Sequence, residues 1–127
     1  FRKIVEPWIA SLAAKKIKPE EISWLKMIVC DQHMAILYGR NDNEIDREFH
    51  MKLAELSGNR VVIEVMTAIQ SIINESRSEW LQSRERKTAS VEGHLKIIEA
   101  LSSGNSEDSF RAMLDHLSEI EDYILGD

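Results

Sequence analysis

The chain has 127 residues, of which 43% are hydrophobic and 30% are charged, and this is enough for one domain with a buried core. Its formal net charge of -6 provides no sequence-wide positive field, so direct binding of DNA by this chain is not expected. A single cysteine, Cys30, rules out an internal disulfide, and no apolar run approaches the roughly 20 residues that span a bilayer. We therefore expect a cytoplasmic protein without a membrane partner.

Helices are predicted nearly throughout, because glycine and proline are few and apolar residues recur at spacings of three and four. The first helix is predicted over residues 1–16, with an apolar stripe at Ile4, Trp8 and Leu12. The second is predicted over residues 19–39, with proline at its first position and acidic residues in its first turn.

The third predicted helix carries a stripe that includes Ile45, Phe49 and Leu53, and Gly58 is expected to end it in a left-handed conformation. A long fourth helix is predicted over residues 61–82.

The charged segment RERKT, residues 84–88, is predicted to be a loop. A fifth helix is predicted over residues 91–103 and a sixth over residues 107–125, with Asn105 or Ser106 as the cap of the sixth. The whole pattern predicts an all-α fold, an antiparallel helical bundle of six or seven helices.

Three of the four histidines interrupt apolar stripes. His94 and His116 each follow one apolar residue of their helix by three positions and precede another by four. His50 lies at the flank of its stripe, with Asp46 one helical turn away in the sequence DREFH. The periodicity does not exclude His33 either, since apolar residues lie one turn away on both sides.

A single inward histidine is usually a core residue that is hydrogen-bonded to a backbone carbonyl. Three histidines and a carboxylate from three helices of one bundle are different, because every buried imidazole needs a partner and a buried carboxylate needs a cation. A divalent metal in the centre of the bundle would satisfy Asp46, His50, His94 and His116 together. These donors favour zinc, nickel, iron or manganese over calcium or magnesium.

The motifs together resemble the FCD domain, the C-terminal effector-binding domain of the FadR branch of GntR-type bacterial transcription regulators. The segments that carry the resemblance are RKIVE, ASLAAKKIKPEE, IDREFHMKLAELSGN, EGHLKIIEAL and AMLDHL. The resemblance implies that Asp46, His50, His94 and His116 hold a divalent metal, most simply zinc, and it leaves out His33, which matches no ligand of the family. One departure is Gly93, where the family often has glutamate.

The resemblance also implies what the chain works with. GntR regulators carry an N-terminal winged helix-turn-helix, whereas this chain starts inside the first helix of the effector domain. We expect residues 1–127 to be one FCD-type effector- and metal-binding domain of a longer regulator. Such a regulator would act as a homodimer and would bind operator DNA only through the missing N-terminal domain.

The predicted ligand set has its own chemistry. Three neutral imidazoles and one carboxylate around a divalent cation leave a formal charge of about +1 and, at a six-coordinate metal, about two open positions. A small carboxylate would bind there, in agreement with the organic acids, sugar acids and amino acids that the resemblance implies as effectors. Arg2 is the first candidate for a second contact with this carboxylate, and Arg77 and Arg84 around Trp80 are weaker candidates.

Other interpretations are open at this stage. Arg77 and Arg84 fit a solvated helix face, and Trp80 fits a core or dimer contact. The site could be that of a metal-dependent hydrolase, or the metal could only staple the helices together. A hydrolase lacks an obvious base, since the acids next to the ligands should face away from the metal: Glu48, Glu92 and Asp115. The chain is therefore not expected to be an enzyme.

Overall fold

The computed structural model describes the backbone of residues 2–76 and 83–125, and their side chains except those of 73–76 and 123–125. These residues form six helices and no strand, which confirms the all-α prediction. None of these helices is both long enough and apolar enough to cross a membrane. The helices are α1 (Arg2–Ala14), α2 (Pro19–Leu37), α3 (Asn43–Leu56), α4 (Arg60–Ser76), α5 (Arg84–Ser102) and α6 (Ser106–Leu125).

The helices that carry His50, His94 and His116 are α3, α5 and α6, and each packs against neighbouring helices. α1 packs against α3, α5 and α6, and α2 packs against α3 and α5, while α5 and α6 lie against each other. Large apolar side chains fill the space between them, among them Leu25, Phe49, Leu53 and Ile97, each no more than 1% exposed. The histidines of α3, α5 and α6 therefore project into a packed interior.

The predicted stripe of α1 is wrong. Ile4 is 75% exposed and Trp8 is 58% exposed, while the buried face contains Glu6, Ile9 and Ala10. The helical period was right but the phase was not, because small residues rather than the largest ones face the three helices that α1 contacts. Small side chains let a helix lie close to its neighbours, and they leave room for a buried glutamate.

The predicted loop at residues 84–88 is also wrong, because α5 begins at Arg84. The hydroxyl of Ser83 accepts a hydrogen bond of 3.0 Å from the backbone N–H of Arg86, which is N-terminal capping. Glu85 lies in the first turn, where the helix dipole favours an acid. A serine followed by an acidic first turn was the available signal, and the high charge of RERKT obscured it.

The remaining helix ends agree with the sequence. Gly58 follows α3 with φ of +73°, the left-handed conformation expected of a stop. The side chain of Asn105 accepts a hydrogen bond of 2.9 Å from the backbone N–H of Asp108, so Asn105 caps α6. The part of the predicted fourth helix beyond Ser76 lies outside the described residues.

Candidate metal centre

Three buried imidazoles converge where α3, α5 and α6 meet. His50, His94 and His116 are 1%, 0% and 4% exposed, and one ring nitrogen of each lies within 4.8 Å of the others. Asp46 joins them, since its Oδ1 lies 3.3 Å from Nε2 of His94 and 3.6 Å from Nε2 of His50. The four residues that the sequence selected as metal ligands therefore form one cluster.

A glutamate lies behind His50. Oε1 of Glu6 is 2.6 Å from Nδ1 of His50, and its Oε2 is bound by the guanidinium of Arg2. Burial by itself would raise the pKa of Glu6, but the charges and hydrogen bonds of His50 and Arg2 outweigh burial and lower the pKa to about 2. The carboxylate is thus ionised and forms an ion pair with His50 across this 2.6 Å contact, as in the carboxylate–histidine pairs that orient metal ligands.

A glutamine lies behind His94. Oε1 of Gln32 is 2.9 Å from Nδ1 of His94, and Nε2 of Gln32 lies 3.1 Å from Oδ2 of Asp42. With Nδ1 occupied on both rings, His50 and His94 turn their Nε2 atoms towards each other at 3.2 Å. Two ring nitrogens at this distance need a cation or a proton between them, because two lone pairs repel.

The charge of the cluster follows from these contacts. Burial would lower the pKa of His50, but Glu6 and Asp46 raise it to about 9. Burial lowers the pKa of His94, and burial with the charges of the other two histidines holds the pKa of His116 well below its usual value. Without a metal, His50 is therefore the one imidazolium of the cluster, with one N–H directed at Glu6 and the other at His94.

His116 differs from the other two histidines. Its Nδ1 is buried and, among the described residues, has neither a hydrogen bond nor an ion pair, whereas Nδ1 of His50 pairs with Glu6. The ring lies over Gly93, where an added Cβ would come within 2.1 Å of this nitrogen. α5 runs without a break through Gly93. The missing side chain at this position leaves the space that the His116 ring occupies.

The four residues predicted to contact the effector do not form a comparable cluster among the described residues. The guanidinium of Arg2 is bound to Glu6 behind His50, and the side chain is 25% exposed. Arg84 is exposed in the first turn of α5. Arg77 and Trp80 lie outside the described residues, so all four effector contacts stay predictions.

Several residues near the ligands in sequence do not belong to the cluster. His33, which the resemblance left out of the ligands, is exposed on α2. The three candidate bases of a hydrolase are exposed too, which agrees with the expectation that they face away: Glu48, Glu92 and Asp115.

The positions of Glu6 and Gln32 behind the histidines were not predicted from the sequence. Each lies on the apolar face of its helix, Glu6 three residues before Ile9 and Gln32 four residues after Ile28. A polar side chain at such a position is the signal in the sequence, and Glu6 and Gln32 show it as clearly as the histidines do.

Comparisons with known proteins agree with this architecture. The family model of the FCD domain matches residues 1–119. The HTH-type transcriptional regulator LutR of Bacillus subtilis (strain 168) is 29% identical over 130 residues, which cover 98% of this chain and 59% of LutR. The Uxu operon regulator of Haemophilus influenzae is 25% identical, over 94% of this chain and 47% of that protein.

A solved structure described as Streptococcus agalactiae GntR superimposes with a TM-score of 0.80 at 30% identity, over 92% of this chain and 53% of that one. The chain spans about half the length of the curated relatives it matches. These relatives are transcription regulators, which confirms the prediction that the chain is of a regulatory class and not an enzyme. The chain belongs to the FCD domain family of GntR-type transcription regulators.

Proposed function

We propose that this chain is the sensing domain of a longer, cytoplasmic GntR-type regulator. It binds a divalent metal through Asp46, His50, His94 and His116, and the metal receives a small carboxylate effector. Effector binding controls the affinity of an N-terminal domain, outside residues 1–127, for operator DNA. The regulator acts as a homodimer, since two-fold symmetric operators are read by two-fold symmetric proteins.

One observation supports metal binding above the others. The Nε2 atoms of His50 and His94 face each other at 3.2 Å, while Nδ1 of His50 pairs with Glu6 and Nδ1 of His94 contacts Gln32. The oxygen of Asp46 lies within 3.6 Å of both Nε2 atoms. A core that used histidines only for packing would pair their polar atoms with backbone carbonyls. Here, instead, the two Nε2 atoms and the Asp46 oxygen point at one another, as the ligand atoms of a metal do.

The donor set fits a particular class of metal. Three imidazoles and one carboxylate suit zinc first, and also nickel, manganese or iron, whereas calcium and magnesium prefer a sphere of oxygens. A bound metal would supply a positive charge of about +1 net of Asp46, which attracts an anion. Arg2 adds to this field from behind His50 although its own guanidinium is bound to Glu6.

The experiment combines metal analysis with calorimetry. Purified protein should bind one zinc ion per chain, and the double variant His94→Ala, His116→Ala should lose it. His33→Ala is the matched control, because this histidine is exposed on α2 and should leave zinc binding unchanged. Full zinc occupancy in the double variant would refute the site.

The effector is tested by titration of dicarboxylates, hydroxy acids and sugar acids into zinc-loaded and metal-stripped protein. We expect at least one acid to bind tightly only when zinc is present. Equal affinity with and without zinc would exclude direct coordination. An Arg84→Ala variant, and variants of Arg77 and Trp80, then separate residues that contact the acid from residues of a solvated face.

A further inference from the structure

A second polar cluster is buried beside the metal centre and supplies none of its ligands. Gln32 of α2 is 1% exposed, Asp42 before α3 is 3% exposed and Ser90 of α5 is 7% exposed. Buried side chains of this kind cost free energy unless hydrogen bonds satisfy them. Their contacts form a chain that ends at His94, which indicates a role in the metal site.

The orientation of the Gln32 amide is determined by Asp42. A carboxylate oxygen only accepts hydrogen bonds, so the amide atom 3.1 Å from Oδ2 of Asp42 must be the NH₂ group of Gln32. Lys87 lies 3.8 Å from the other oxygen of Asp42. The carbonyl oxygen of Gln32 is then the atom that faces His94, at 2.9 Å from Nδ1.

The amide orientation in turn determines which nitrogen of His94 carries the proton. Because Oε1 of Gln32 can only accept, Nδ1 of His94 must donate. A neutral imidazole has one N–H, so Nε2 of His94 keeps its lone pair. This lone pair points at Asp46 and His50, the direction from which a metal would be bound.

We propose that Gln32, held in place by Asp42, is a positioning residue that fixes the tautomer of His94 and so prepares its Nε2 as a metal ligand. The metal part of this inference rests on the proposed function. Glu6 and Gln32, the groups behind His50 and His94, then have different roles. Glu6 places a negative charge behind His50, whereas Gln32 orients His94 through a neutral amide, which adds no net charge behind the ring.

The first measurement uses the wild-type protein without metal. Two-bond ¹H–¹⁵N correlation spectra at pH 7.5 distinguish the two tautomers of a histidine. We expect His94 to carry its proton on Nδ1. A proton on Nε2 would overturn the proposal, and this result does not depend on how any variant folds or on whether the protein binds metal.

The second measurement compares variants. Gln32→Leu removes the acceptor, so the metal-free His94 should show a mixture of tautomers and zinc affinity should fall by about 10- to 100-fold, as for other residues behind metal ligands. Asp42→Asn replaces the carboxylate, which can only accept, by an amide that can also donate, so Gln32 is no longer held in one orientation and His94 should show a mixture of tautomers here too. Unchanged tautomer and affinity in Gln32→Leu would overturn the proposal.

Gln70→Leu is the matched control for a merely structural effect. Gln70 is also a buried glutamine, 2% exposed, but its amide contacts the sulfur of Met66 on α4. It should lower the melting temperature without any change at His94. If wild-type protein has the expected tautomer but binds no zinc, the proposed function fails, while the role of Gln32 in fixing the tautomer of His94 stands. A loss of zinc affinity in Gln70→Leu equal to that in Gln32→Leu would count against a specific role of Gln32 at His94.

Discussion

Zinc binding should release one proton per metal ion at pH 7.5, and the proton should come from His50. Glu6 and Asp46 raise the pKa of this imidazole to about 9, so the metal-free protein holds a proton there at neutral pH. His94 and His116 have lowered pKa values and are already neutral. A metal can bind Nε2 of His50 only after the proton has left.

The magnitude follows from the linkage of one proton to one metal ion. Zinc affinity should rise about tenfold per pH unit, which is roughly 30-fold, or about 2 kcal/mol, between pH 7 and 8.5. Above pH 9 the affinity should level off. Calorimetric titrations in buffers of different ionisation enthalpy measure the protons released, and a competing chelator gives the affinity at each pH.

A charge-removing variant tests the cause. Glu6→Gln keeps the size of the side chain but removes the anion behind His50, so the pKa of His50 should fall and fewer protons should be released. Glu92→Gln, an exposed acid of α5, is the control and should behave as wild type. Release of no proton by the wild type at pH 7.5, or an unchanged pH dependence in Glu6→Gln, would refute the reasoning.

Further predictions concern Gly93, pH, chelation and assembly. Gly93→Ala places a Cβ 2.1 Å from Nδ1 of His116, so the ring must move by more than the roughly 0.2 Å that metal ligands tolerate, and zinc affinity should drop at least about tenfold. Glu92→Ala on the same turn should not change it. Without metal, the free energy of unfolding of Gly93→Ala should stay within about 2 kcal/mol of wild type by thermal unfolding. A gain in helix propensity of about 1 kcal/mol opposes an overpacking cost of about 1–3 kcal/mol. Metal-free wild type should be most stable near pH 6.5 in urea unfolding: the raised pKa of His50 gives stability that is lost as pH rises to about 9, and the lowered pKa values of His94 and His116 give stability that is lost as pH falls below 6.5. A flat profile would contradict these shifts. Zinc at 100 times its dissociation constant should add about 2.7 kcal/mol, so a chelator should lower the melting temperature, and no change would exclude a bound metal. Sedimentation at tens of micromolar should show a dimer, and monomer alone would count against this domain as the main dimer contact.

Short-range spacing predicted most of the helices and directed Asp46, His50, His94 and His116 towards one interior, whereas His33 was left out through the resemblance and metal binding by the four stays a prediction. His94 and His116 sit at the centre of apolar stripes, and Asp46 lies one turn from His50, so the direction of each side chain follows from helical geometry. Convergence of the three helices needed only a bundle with one interior. The phase of α1 could not be read in the same way, since apolar residues occur on more than one of its faces and tertiary packing decides which is buried.

The groups behind the ligands depend on long-range contacts, and spacing along the chain says little about them. Gln32 and His94 are 62 positions apart, and Glu6 and His50 are on different helices. Nothing in either local sequence specifies which buried polar residue meets which histidine. Once the bundle is assembled, however, the donor and acceptor rules leave few choices: Asp42 can only accept, so Gln32 must donate to it, and His94 must donate to Gln32. The protonation of the site is therefore a property of the tertiary fold, set from α1 and α2, neither of which supplies a ligand. If the proposed metal binds there, a mutation on either helix should alter its affinity without contacting it, because Glu6 and Gln32 act only through His50 and His94.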